Sequence, residues 1–430
     1  MSTNRKILII TYYWPPSGGV GVQRWMNFAL QLKKRGWDPM VLTPENPQFE
    51  IRDEKLLERV KNIPVIKLPI WEPFDLFHRI TGNKNRENVQ QGLVLEKTNK
   101  SVKDQVMVWI RGNMLVPDPR VFWVRFAAKR AIELIGEEGI GTIITTGPPH
   151  SMHLIGRRVK RKAGVRWLAD FRDPWSRWDV LKKLNTSSFV LDIHRRMEQS
   201  VIREADVAVT VSRRLAESLG NVQVLHNGIT VGSTSTTQPN EARFTIGYFG
   251  MLNELRNPRQ LWHLLDQMCR ENQVFANKLR IRIGGIVAES IKQEICDLAE
   301  LRDRVEFLGY LSHESMQDEY SRCDVLLLLL NKSDNSKWIL PVKFFEYLAA
   351  NRMILGLGDR KSDLGDLMNS KYVGEILDYS EISEIRSFIE DIFENERRPD
   401  ASEVKSLMDQ FSHDKLVLKL EELLIENEQS

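Results

Sequence analysis

The chain has 430 residues, 42% of them apolar and 28% charged, which is the balance of an ordinary globular protein long enough for two or three domains. No run approaches the roughly 18–20 consecutive apolar residues that span a bilayer, and the opening MSTNRKILII is too short for a signal peptide, so the expected location is cytoplasmic. The net charge of +3 hides an asymmetry: residues 1–240 carry 37 Lys and Arg against 23 Asp and Glu, a net of +14, and the remainder 24 against 35, a net of −11.

A basic half attracts anionic lipid, anionic sugar or nucleic acid, while the acidic half opposes general polyanion binding; nucleic acid is therefore not an expected partner. Two solvated surfaces that differ by chance are the plain alternative. Cys269, Cys296 and Cys323 are far apart and lack metal-ligand spacing, which implies neither a disulfide nor a zinc site.

In chain order, Lys6–Thr11 reads as a buried strand, followed by a loop through Gly18, Gly19 and Gly21 and an amphipathic helix from Val22 to Arg35. Further strand patterns follow at 38–43, 64–69, 141–146, 165–170 and 205–211, with helical patterns between most of them. That alternation predicts a parallel sheet covered by helices, one doubly wound domain over 1–229. Residues 72–118 interrupt the rhythm and predict an excursion on the acceptor side. The Ser/Thr/Gly/Pro-rich stretch 230–243 reads as a linker.

The alternation then resumes at 244–249, 279–283, 305–308, 324–330 and 353–357, which predicts a second doubly wound domain over 244–410. A last helical pattern in 411–430, about Leu416 to Glu428, lies beyond that sheet and is expected to pack back on the first domain. Two such sheets direct ligands to the loops after their strands, around a shared cleft.

Those loops hold the candidate residues. Gly18 and Gly19 let backbone N–H groups approach a phosphate at a helix start, although Arg24 stands where a GxGxxG motif has its third glycine; a tight turn is the alternative. His150, in TTGPPHS, is placed to hydrogen-bond a sugar hydroxyl or a phosphate, or to sit idle in a surface loop. In Asp170-Phe-Arg-Asp-Pro-Trp175 one short turn holds Arg172 and Asp173, suited to anion recognition or to an Asp–Arg pair that shapes the loop.

In the second half Arg256 precedes a helix start. Pro341 opens another helix, with Lys343 in its first turn and Glu346 one turn on. Lysine plus free helix N–H groups suits a diphosphate, and the carboxylate suits ribose hydroxyls; an ordinary i,i+3 ion pair is the alternative. No DxD motif is present, so basic residues and helix ends must neutralise any diphosphate and no metal ligands are expected. The aromatic-basic stretch Arg120–Arg130 and the run Arg157–Lys162 are candidates for contact with an anionic membrane surface, with core packing of Trp123 and Phe126 as the alternative.

Taken together, Tyr12-Tyr-Trp-Pro-Pro-Ser-Gly-Gly, Thr146-Gly-Pro-Pro-His-Ser, Asp170-Phe-Arg-Asp-Pro-Trp and Lys343-Phe-Phe-Glu-Tyr-Leu-Ala resemble the family-4 (group 1) glycosyltransferases, over about residues 5–420 and closest to a bacterial surface-polysaccharide branch. The resemblance implies the α/β GT-B fold, two Rossmann-like parallel-sheet domains facing across a cleft. It implies a nucleotide-diphosphate sugar, UDP- or GDP-linked, as co-substrate with no other cofactor. Transfer would go with retention to a saccharide or lipid-linked acceptor held by the first domain, in surface polysaccharide or glycolipid synthesis at the inner face of the membrane.

In this resemblance Glu346 matches the glutamate near the ribose, and Lys343 and Arg256 match the diphosphate cations. Where the family shows a further glutamate, seven intervening residues earlier, this chain has Trp338, and Met251 stands in for part of the usual basic pair. Those departures keep two other readings open, a sugar-nucleotide epimerase and a non-catalytic GT-B-like scaffold.

Overall fold

The computed structural model describes residues 4–47, 52–73, 102–229, 242–311, 313–369 and 373–425. The polar stretch 81–101, all of 230–243 except its last two residues, and the end of the last helical pattern at 426–428 lie outside them.

The chain divides into two compact units, one of Met1–Gly228 with His413–Ser430 and the other of Ile229–Ser412. In the first unit, strands β1 (Lys6–Ile10), β2 (Asp38–Pro44), β3 (Val65–Leu68), β4 (Thr142–Gly147), β5 (Arg166–Phe171), β6 (Val207–Thr210) and β7 (Gln223–Val224) form one sheet in the order β3-β2-β1-β4-β5-β6-β7. Every pairing is parallel.

Period-two alternation builds two cores on this sheet. Ile7 and Ile9 face one way, onto Trp25, Phe28 and Leu32 of the helix Val20–Lys34. Leu8 and Ile10 face the other way, onto Ala127, Ile155 and Trp167. The C-terminal helix His413–Ile425 adds Leu416, Val417 and Leu420 to the first of these cores, and its Glu421 accepts from Trp37 Nε1 at 2.8 Å.

The second unit repeats the plan with β8 (Phe244–Phe249), β9 (Leu279–Gly284), β10 (Val305–Gly309), β11 (Val325–Leu329), β12 (Met353–Leu357) and β13 (Gly374–Leu377), in the order β10-β9-β8-β11-β12-β13. Along the all-apolar β11, Val325, Leu327 and Leu329 enter one core and Leu326 and Leu328 the other, so the run is buried on both faces. Both sheets reverse strand order once, between β1 and β4 and between β8 and β11. Ligands of open parallel sheets bind beyond the strand ends at such a reversal.

Candidate functional site

In the first unit, the loops leaving β1 and β4 meet at the reversal. Gly19 closes the β1 loop with φ +83°, in the left-handed region that glycine enters at no steric cost, and caps the helix Val20–Lys34. Gly18 and Gly19 line a cavity of about 420 Å³ together with Tyr13, Pro119, His150 and Trp178.

His150, at the end of the β4 loop, is 3% exposed and lies flat on Trp175, with ring centroids 4.9 Å apart and planes 1° from parallel. Neither of its ring nitrogens has a hydrogen-bond partner among the described residues. Burial first, then the neighbouring His153 and His194, hold its pKa well below the usual histidine range, so the ring is neutral at physiological pH. Both nitrogens are enclosed, and the lowered pKa makes the neutral ring a hydrogen-bonding group for a hydroxyl rather than a base.

The Asp170–Trp175 stretch differs from a single short turn. β5 continues to Phe171, because Asp170 and Phe171 pair with Val209 and Thr210 of β6, and this buries Asp170 completely. Its carboxylate accepts from Arg24 Nε at 3.1 Å and Nη2 at 2.8 Å, Trp25 Nε1 at 2.6 Å and Thr146 Oγ1 at 2.8 Å. Arg24, met in the sequence only as a break in a glycine motif, is thus the partner of Asp170 and ties the first helix to the sheet.

Arg172 donates instead to three backbone carbonyls, Gly21 at 2.6 Å, Pro148 at 2.5 Å and Gly147 at 3.3 Å. It joins the first turn of the helix Val20–Lys34 to the β4 loop. The half-buried Asp173 beside it has its pKa raised by burial, against the opposing pull of Arg172. Neither residue lines the cavity, whereas His150, Gly18 and Gly19 do.

Two wall residues escaped the sequence reading. Asp118 accepts from Ser151 N and Ser151 Oγ, both at 2.8 Å, and so caps the helix that follows His150. His194 accepts from Trp175 Nε1 at 3.0 Å and fixes the ring on which His150 stacks. An Asp-Pro pair is a legible turn and cap signal; for His194, in mid-helix, no local signal exists.

In the second unit, the loop leaving β8 starts at Gly250, and the short helix Val342–Ala349 follows the β11 loop. Pro341 is the N-cap residue, with ψ 138°, rather than the first helical residue; the helix begins one position later and Lys343 remains in its first turn. A Cβ on Gly250 would come within 3.3 Å of Lys343 Cε, so the lysine stem lies along this glycine.

Lys343 and Glu346 do not form the ordinary i,i+3 pair. Glu346 Oε2 accepts from Tyr320 Oη at 2.9 Å, and Lys343 has no carboxylate within 4.0 Å among the described residues. Burial lowers the Lys343 pKa; Glu346 offsets part of that, and Arg256 adds to the lowering. Arg256 is held by Asn331, whose Oδ1 accepts from Nε at 2.5 Å. Two cations, neither with a carboxylate within 4.0 Å among the described residues, therefore stand near a helix N-terminus, which is an arrangement that favours an anion.

Gly285 closes the floor of this site with φ +112°, and a Cβ there would lie 2.4 Å from the Gly250 carbonyl oxygen. Gly285→Ala is expected to destabilise the chain by about 1–3 kcal/mol, seen as a lower denaturant midpoint at unchanged slope. Trp338 ends the turn Asp334–Trp338, half-buried, with Lys337 Nζ 5.4 Å above its ring. Among the described residues no group of three or more His, Cys, Asp or Glu is arranged to hold a metal ion.

No protein-family model matches the chain, and no curated protein matches it in sequence. Solved structures match along its whole length. HepE of Anabaena, crystallised in complex with UDP, is similar with a TM-score of 0.62 at 13% identity, covering 97% of this chain and 99% of that one. The lipopolysaccharide outer core galactosyltransferase WaaB, in its apo form, gives 0.61 at 12% identity, with 98% and 99% covered. A Listeria monocytogenes protein named for UDP-N-acetylglucosamine 2-epimerase gives 0.55 at 11%, with 100% and 99% covered. At these identities the likeness is one of fold, and that fold is the two-domain α/β GT-B architecture.

Proposed function

We propose that the protein is a glycosyltransferase that takes a sugar from a nucleotide-diphosphate donor. The observation that carries this reading is Lys343, in the first turn of a helix beside Arg256 and Glu346, with no carboxylate within 4.0 Å among the described residues. The donor diphosphate rests on Lys343, Arg256 and the helix N–H groups, and Glu346 accepts from a ribose hydroxyl. The donor is UDP- or GDP-linked.

The acceptor, a saccharide or lipid-linked glycan of a surface polysaccharide or glycolipid, enters the cavity of the first unit. As the bond from the anomeric carbon to the phosphate oxygen breaks, the electron pair leaves with the diphosphate, and Lys343 and the helix end stabilise the added charge. The acceptor hydroxyl oxygen bonds to the anomeric carbon and gives up its proton. His150 binds that hydroxyl, Gly18 and Gly19 shape the cavity wall, and Arg172 is a positioning residue. The proton passes to the departing diphosphate, and Asp173, beside Arg172 and outside the cavity lining, is a second positioning residue. The reaction retains configuration, needs no metal, and takes place on the cytoplasmic side.

Incubation with a panel of labelled UDP- and GDP-sugars and a lipid-linked glycan extract tests this. Label should appear in the acceptor fraction. Label confined to an epimerised nucleotide sugar would instead mark an epimerase, and no turnover with any donor would mark a scaffold. His150→Phe keeps the stack on Trp175 and removes both ring nitrogens; transfer should fall at least about 10-fold with the melting temperature nearly unchanged. Equal transfer by the variant would remove His150 from the site.

A further inference from the structure

The basic run Arg157–Lys162 is largely spent within the fold. Lys160 pairs with Asp206 at 2.7 Å, Arg161 is bidentate to Glu204 at 2.7 Å, and Arg157 donates to Ser200 at 2.5 Å. In the stretch Arg120–Arg130, Arg120 is buried against Glu72 at 2.9 Å and Trp123 is 1% exposed. The first run is therefore no free basic face, and the second is buried only in part: Arg125, Phe126 and Lys129 are exposed.

Exposed apolar groups nevertheless gather in that second stretch and around it. Phe122 and Phe126 sit one turn apart, 45% and 68% exposed, and Phe122 packs edge-on against the exposed Trp71, with centroids 5.0 Å apart. Val106 and Trp109 form an exposed stripe on the helix Val102–Asn113. The end of that helix is tied to the segment before Phe189, since Ser187 N donates to Asn113 Oδ1 at 2.8 Å; Phe189 is 74% exposed.

Cations accompany these rings. Arg125 and Lys129 flank Phe126, Lys182 and Lys183 precede Leu184, and Arg196 shares a helix face with Phe189, all exposed. Exposed carboxylates among the described residues beside them include Asp192, paired with Arg195 at 2.7 Å, and Glu133, 3.2 Å from Arg130 and 4.0 Å from Lys129. Arg111, Gly112, Pro119 and Leu184 of these same elements line the cavity that holds His150.

From this geometry we infer that this face docks on the surface of an anionic lipid bilayer. Aromatic and aliphatic groups enter the headgroup boundary, and the surrounding Lys and Arg meet anionic headgroups. Exposed tryptophan is suited to that boundary because its ring is apolar and its N–H is polar. A protein partner would need matching acidic and apolar surface, whereas an anionic bilayer supplies both along any direction. The consequence for an acceptor anchored in the bilayer, which rests on the function proposed above, is that the cavity opens among the elements that meet the membrane.

Co-flotation of the full chain with vesicles tests this, using phosphatidylcholine alone and phosphatidylcholine with 30% phosphatidylglycerol, with gel filtration in parallel. Binding should appear only with the anionic vesicles and weaken in high salt. Phe126→Ser with Phe189→Ser should reduce it at least 10-fold, and Arg125→Glu with Lys129→Glu should abolish the preference for anionic lipid. Both double variants should keep the thermal shift given by UDP or GDP, so that loss of docking is read apart from loss of donor binding. Absence of vesicle binding by the unaltered chain, binding equal in the variants, or a dimer that the variants dissociate without any vesicle binding would each overturn the inference.

Discussion

Replacement of Lys343 by alanine is expected to lower kcat/KM for sugar transfer by about 100-fold or more, the scale seen when one preorganised charge-stabilising group is removed from a reacting site. The size follows from the surroundings of the lysine. Its stem lies on Gly250, Glu346 is engaged by Tyr320 rather than by Lys343, and Arg256 is held by Asn331. Neither Arg256 nor Glu346 is thus placed to substitute for it in the first turn of the helix. Nucleotide binding should fall with turnover, because the diphosphate is present in both ground and transition states.

The same residue sets an expected pH dependence. Burial, followed by the charge of Arg256, lowers its pKa from the ordinary lysine value, so the ammonium is present at low pH and is lost as pH rises through the lowered pKa. Donor affinity should therefore decline on the alkaline side earlier than an ordinary lysine would allow. In Lys343→Arg the decline should move to higher pH, since a guanidinium stays protonated. Titrations of a nucleoside diphosphate at several pH values read both limbs.

The largest effect on stability is expected at Asp170. Asp170→Asn leaves Arg24 buried without its counter-charge, and breaking a buried pair in this way costs about 3–5 kcal/mol. The site is fully enclosed: Arg24 is 4% exposed and Asp170 not at all, and Arg24 also donates to the carbonyls of Leu225 and His226, each at 2.8 Å. Denaturant unfolding at neutral pH measures the loss.

Acid should reproduce part of that loss. Burial alone would raise the Asp170 pKa, but the charge and hydrogen bonds of Arg24 outweigh it and hold the carboxyl below its ordinary 3.8. A depressed carboxyl contributes stability above its unfolded-state pKa, and that contribution disappears as pH falls through the lower folded-state value. The native protein should lose this increment below about pH 4, and Asp170→Asn should lack it.

Both sheets were legible in the sequence because burial on two faces leaves nearly continuous apolar runs, as at Ile7–Ile10 and Val325–Leu329. The two-residue β7 and the Gly374–Leu377 strand were not, being too short or too mixed to stand out from the helices around them. Lys343 and Glu346 could be set in one site because helix geometry alone relates positions three apart.

Asp170 and Arg24 could not be paired in the same way. They lie 146 positions apart, and only the parallel register of β4, β5 and β6 beside the first helix brings them together. The same holds for His194 behind Trp175 and for the carboxylates of Glu204 and Asp206 that take up Arg161 and Lys160. Local periodicity locates an element and one of its faces; the neighbours on that face come from distant parts of the chain.

Calorimetric titration of the full chain with UDP and with GDP, beside the Lys343→Ala variant, measures whether the Lys343 helix holds a nucleotide-diphosphate sugar. Saturable binding of at least one of them is expected, with a loss of 10-fold or more in affinity in the variant. Binding of neither nucleotide, or equal binding by Lys343→Ala, would contradict that placement of the donor.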